Sequence, residues 1–215
     1  MGQRVLTGER VYSRAELMSD AAVHVVGLAA ALMAVPVLIT LAVFWRGDVP
    51  AVLATGVYGA ALIAMLLCSA LYNMIHDPRW KGVLQRLDHT AIYIKIAGTY
   101  TPFTVFAGSH WLAFLTGLWA AACAGSSLKV LAPERFRLAG LALYLAMGWA
   151  GVAMAPELFA ALAPATLWLI LVGGVVYTAG VGFFLMEMMP FHNTIWHVFV
   201  LVASVIFFAA VLVEL

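Results

Sequence analysis

Apolar residues gather in seven long blocks along this chain, and short stretches rich in proline, glycine and charge separate them. The blocks cover roughly 21–45, 51–75, 86–107, 110–131, 136–155, 164–186 and 192–213. Each has about the 20 mainly apolar residues that a membrane-spanning helix needs. The breaks are "RGDVP" at 46–50, "HDPRWKGVLQ" at 76–85, "GSH" at 108–110, "APERF" at 132–136, the stretch from Pro156 to Pro164, and "EMMPF" at 187–191. Punctuation of that kind ends helices. The pattern predicts an all-α integral membrane protein, a seven-helix bundle over 21–215 preceded by a polar cytoplasmic segment over 1–20. Pro36 and Pro102 fall inside spans, where kinks are expected and tolerated.

Composition agrees and narrows the class. Of the 215 residues, 65% are hydrophobic and 10% charged, more apolar surface than a soluble core absorbs. The first apolar block is too long for the h-region of a signal peptide, so none is expected. Cys68 and Cys123 lie within apolar blocks, the setting of small buried thiols rather than of a disulfide framework. A net charge of +1 offers nothing to a nucleic acid.

The cations instead set topology. With the N-terminus inside, that face collects Arg4, Arg10, Arg14, Arg79, Lys81, Arg86, Lys129, Arg135 and Arg137, against Arg46 outside. Lys and Arg in short loops stay cytoplasmic. The reading is therefore N-terminus inside and C-terminus outside.

Polar groups within spans are costly, so each is a candidate for function. Ser69 and Asn73 end the second span, Asp88 and His89 open the third, Asn193 and His197 open the last, and His24 opens the first. All fall at one depth, on the predicted cytoplasmic side. Spacings of four put Ser69 with Asn73, and Asn193 with His197, each pair on one helix face. The expectation is a polar chamber open to the cytoplasm. Plainer roles stand beside it: Ser69 bonding its own backbone, asparagines joining helices, Asn193 capping the last helix, Asp88 answering a helix dipole. Lys95 follows Asp88 by seven residues, about 10.5 Å along a helix, and is expected to face the interior as part of the Asp88 network. His110 reads as an outer-loop residue.

"SALYN" (69–73), "LDHTAIYIKIAGTYTPF" (87–103), "MGWAG" (147–151) and "PFHNTIWHVFVLVAS" (190–204) resemble the hemolysin III family of bacterial membrane proteins. That family is grouped with the progestin and adiponectin Q receptors and, more distantly, with alkaline ceramidases. The resemblance implies seven spans with the N-terminus inside, in the bacterial inner membrane. It also implies a zinc site of three histidines beside a serine and an aspartate. Ser69, Asp88 and His197 match that pattern, while the other two ligand positions carry Asn73 and Asn193. Neutral amide oxygens are poor zinc ligands. No cofactor is therefore expected, and a zinc held by a displaced set of His76, His192 and His197 is the less favoured alternative.

Two functions follow as expectations. One is a non-enzymatic protein that binds membrane lipids, a fatty acid or another small ligand, or serves membrane homeostasis. The other, implied by the resemblance, is a metal-dependent hydrolase of ceramide-like lipid amides, in which Asp88 serves as base or proton relay and Ser69 assists at the oxyanion. Cytolysis, which the family name suggests, finds no amphipathic pore-lining span. A retinal-binding protein is excluded by the absence of lysine from the last span.

Overall fold

The computed structural model describes residues 12–108, 111–131 and 137–215. His110 and "APERF" lie outside the described residues, as do Arg4 and Arg10. Within them the chain is helical, without strands: α1 (Arg14–Trp45), α2 (Val49–Met74), α3 (Pro78–Ala107), α4 (Leu112–Leu131), α5 (Arg137–Met154), α6 (Pro156–Ala160), α7 (Pro164–Leu185) and α8 (His192–Glu214). The seven long helices fall on the seven predicted blocks. Five of them, α1, α2, α4, α7 and α8, are long and apolar enough to cross a membrane. α5 is apolar but shorter, and α3 carries Arg79, Lys81, Arg86, Asp88 and Lys95.

Local chemistry explains where the helices start. Ser13 and Glu16 form a reciprocal capping box, so α1 begins at Arg14 and the boundary expected at residue 20 falls inside it. Asp48 caps α2 through the Ala51 amide at 2.8 Å. Asp77 caps α3 with Pro78 at its first position, where the missing N–H costs nothing. α3 stops at Gly108, whose φ of 113° a side chain would resist. Pro36 and Pro102 interrupt neither helix. The unpredicted α6 folds five residues of the Pro156–Pro164 stretch.

Short connections make sequential helices neighbours, and α1 also packs beside α8. α2 and α3 approach closely: a Cβ on Gly98 would sit 2.7 Å from that of Ala61. Small residues permit such contacts where no hydrophobic force drives helices together. Two buried clusters result. Val35, Leu38, Tyr58, Leu62 and Val211 join α1, α2 and α8, while Tyr93, Ala97, Leu118 and Met147 join α3, α4 and α5. α3 is a wall of both, and the polar residues lie along it. The expected thiol burial does not hold: Cys123 is exposed and Cys68 half-buried, and both are free.

Candidate functional site

The site is built where the first turns of α1 meet those of α8. Phe191 precedes α8 with a φ of 59°, a conformation costing a side-chain-bearing residue about 1–2 kcal/mol. Its amide donates to Glu16 Oε1 at 3.0 Å, and Glu16 Oε2 accepts from the Ser13 amide at 2.8 Å. One buried carboxylate thus holds both helix starts, since bonds to an ionised group contribute more than neutral ones. Ser19 Oγ and Thr194 Oγ1, 3.0 Å apart, tie the helices again. The α8 N-cap is Phe191, with no side-chain bond, so Asn193 does not cap the helix.

One turn beyond Glu16, Asp20 sits at the centre of a polar cluster. Its Oδ1 lies 2.6 Å from His197 Nδ1, and its Oδ2 accepts from Asn193 Nδ2 at 3.3 Å. His24 Nε2 stands 3.4 Å from Oδ2. Asn193 Nδ2 also donates to Asn73 Oδ1 at 3.2 Å, and Asn73 Nδ2 donates to the Ser69 carbonyl at 2.9 Å. Three four-residue spacings converge: Asp20 with His24, Ser69 with Asn73, and Asn193 with His197. Of the sequence-derived set, Asn73, Asn193 and His197 come together as expected. Asp20 falls in the polar segment expected over 1–20, although its spacing from His24 is the same signal that marks the others.

Asp88 opens onto the same chamber from α3, bonded to Ser69 of α2 and within electrostatic reach of Asp20 and His24. His24 is inside the cluster, its ring 4.3 Å from that of His197. His89 faces Tyr72 edge-on, and its carbonyl accepts from the Tyr144 hydroxyl at 3.0 Å. Lys95 faces the interior as expected, at 3% exposure. Its Nζ donates to Thr99 Oγ1 at 2.7 Å, one helical turn on, and Asp88 lines the same cavity two turns away.

The displaced histidine set does not assemble. His76 is exposed between α2 and α3, and buried His192 faces Tyr12, whose hydroxyl is 3.2 Å from Nε2. The family pattern's own positions fit a metal no better. Asn73 and Asn193 offer neutral amides, and the Asn73 oxygen already accepts from Asn193. Another set does fit in kind: Asp20, His24 and His197 place one ligand atom each within 4.8 Å of one another, all buried. Two histidines and a carboxylate form a known zinc ligand set. His24 Nε2 supports it, having no hydrogen bond in a residue 4% exposed.

From this cluster a cavity of about 510 Å³ runs along α3. Ser69, Asn73, Asp88 and His197 line its polar end, Lys95, Thr99 and Tyr177 its middle, and Phe103, Leu158 and Ile170 its apolar end. Its side wall is the seam between α5 and α7, which touch lightly. There Gly148 is exposed and Trp149 Nε1 donates to Thr178 Oγ1 at 3.1 Å. A pocket of this size, apolar with a few convergent polar groups, is of the kind that takes small ligands.

Comparison with known proteins agrees with the motif resemblance. The haemolysin-III related family profile matches residues 15–208. The chain is 33% identical over 201 residues to the Hemolysin-3 homolog of Bacillus subtilis (strain 168), covering 92% of this chain and 93% of that protein. It is 36% identical over 201 residues to Hemolysin-3 of Bacillus cereus, covering 92% and 90%. Identity to the human monocyte to macrophage differentiation factor is 27% over 168 residues, covering 72% of this chain and 67% of that protein.

Proposed function

The chain belongs to the haemolysin-III related family of membrane proteins, and from that membership we propose that it binds a lipid-derived or other small amphipathic ligand in its chamber, without a resident metal. The observation that carries this reading is the cavity itself. Its lining runs from the polar cluster to apolar residues and includes both sides of the lightly packed α5–α7 seam, which supports entry of a ligand from the bilayer. The polar end supports a metal-free state, since Asp20 already accepts from Asn193 and pairs with His197.

In this proposal all seven long helices span the inner membrane, with the N-terminus cytoplasmic, the C-terminus outside and the polar end opening to the cytoplasm. Cation placement supports it: Arg14, Arg79, Lys81, Arg86 and Lys129 lie near the helix ends of that face, and Arg46 at the opposite one. The ligand reading is tested by native mass spectrometry of protein purified in mild detergent. Gly148 lines the cavity, and a Cβ there would meet nothing within 4 Å, so Gly148→Trp fills the space without a backbone clash. We expect one amphiphile-sized adduct on the wild type, lost in the variant. No adduct, or an adduct that survives the substitution, would refute the reading.

A second reading, lipid amide hydrolysis, draws on the Asp20, His24 and His197 geometry. A divalent ion held by these three would activate water and polarise an amide carbonyl. Asp88 and Ser69 on the adjoining wall are then placed to orient the substrate amide. Its test is release of fatty acid from a ceramide by purified protein, abolished by a chelator and by His24→Ala.

A further inference from the structure

We propose that Lys95 anchors the ionised carboxylate of a single-chain amphiphile, such as a fatty acid, in the middle of the chamber. This rests on the ligand-binding reading above and adds the charge of the ligand and the residue that reads it.

Lys95 is a buried cation whose charge the described residues leave unanswered. An ammonium carries three donors. One goes to Thr99 Oγ1, which in turn donates to the Lys95 carbonyl at 2.7 Å. The remaining contacts are aromatic faces: Nζ lies 4.9 Å from the Tyr58 ring centroid and 5.9 Å from that of Phe207. No carboxylate among the described residues lies within ion-pair reach of it. Asp88 opens onto the same cavity, but from two helical turns away. Buried charges ordinarily have a charged partner, and here the space beside the ammonium is cavity.

The form of the cavity selects what fills it. One positive charge with two unused donors matches a group with one negative charge and two oxygens, which describes a carboxylate. A phosphate dianion would leave charge over, and a quaternary ammonium head would be repelled. Tyr177, across Phe207 on the same wall, adds a hydroxyl that already pairs with Ser204 Oγ at 2.8 Å. Beyond Lys95 the walls turn apolar, with Phe103, Leu158, Leu162 and Ile170. A volume of about 510 Å³ suits one acyl chain and not a two-chain phospholipid.

The test is binding of oleic acid and of oleyl alcohol, which differ only in the head group, to delipidated protein in detergent, read by native mass spectrometry. Wild type, Lys95→Met and Lys95→Arg are compared. We expect oleate to bind the wild type roughly 10- to 100-fold more tightly than the alcohol, from its charge-assisted hydrogen bonds. That preference should vanish in Lys95→Met and survive in Lys95→Arg. Equal binding of acid and alcohol by the wild type would overturn the Lys95 assignment and leave the chamber reading standing. Binding of neither would overturn both. If Lys95→Met fails to fold, Lys95→Gln, polar and uncharged, takes its place and should likewise abolish the preference, whereas a preference that persists would overturn the assignment.

Discussion

The two polar regions of the chamber differ in one respect. At the α1–α8 end, the carboxylates of Asp20 and Glu16 are answered by side chains and amides from two helices, although His24 Nε2 beside them has no hydrogen bond. In the middle, the Lys95 ammonium is answered by one hydroxyl and two aromatic faces. A closed polar network fixes how helices pack. An open one holds interaction energy in reserve for something that enters. On the proposed reading the end cluster is the clamp of the bundle and the middle its ligand site.

The largest effect is expected at Asp20. Removing one partner of a buried charge cluster leaves the others without their acceptor, a loss of about 3–5 kcal/mol. Asp20→Ala should therefore unfold at a clearly lower temperature in detergent; an unchanged midpoint would mean the end cluster is not a clamp. Glu16→Gln keeps the shape and removes the charge from the bonds to Phe191 and Ser13, for an expected loss of about 1–2 kcal/mol. Faster hydrogen exchange at the Phe191 amide should accompany it, and unaltered exchange would sever Glu16 from the α8 start. Lys95→Met should go the other way in ligand-free protein, with a gain of about 1–2 kcal/mol, because a charge within a span is costly and its aromatic contacts offset only part of that. A drop in stability would show that Lys95 belongs to a closed network after all.

Much of this architecture is legible in the order of residues. Apolar blocks divided by proline, glycine and charge mark the seven long helices, because helix length and span hydrophobicity are local properties. The spacing of four that unites Asn73 with Ser69 and His197 with Asn193 is local too. Asp20 is harder to see, because it sits among charged residues ahead of the first apolar block, although the capping box at Ser13 and Glu16 marks a helix start upstream of it. The bond from Lys95 to Thr99 rather than to Asp88 depends on rotamer and reach, which a sequence interval does not specify. The α6 turn, five residues long, is shorter than any periodicity could reveal.

On the proposed reading Asp20 organises the polar end of the chamber in place of a metal. The direct test is zinc content by elemental mass spectrometry on detergent-purified protein, comparing wild type with the Asn73→His, Asn193→His double variant. We expect a wild type without zinc and a variant that takes up about one ion per chain, three imidazoles with an open fourth position being a sufficient ligand set. Stoichiometric zinc in the wild type would contradict it, and would move Asp20, His24 and His197 from a hydrogen-bonded clamp to a metal centre.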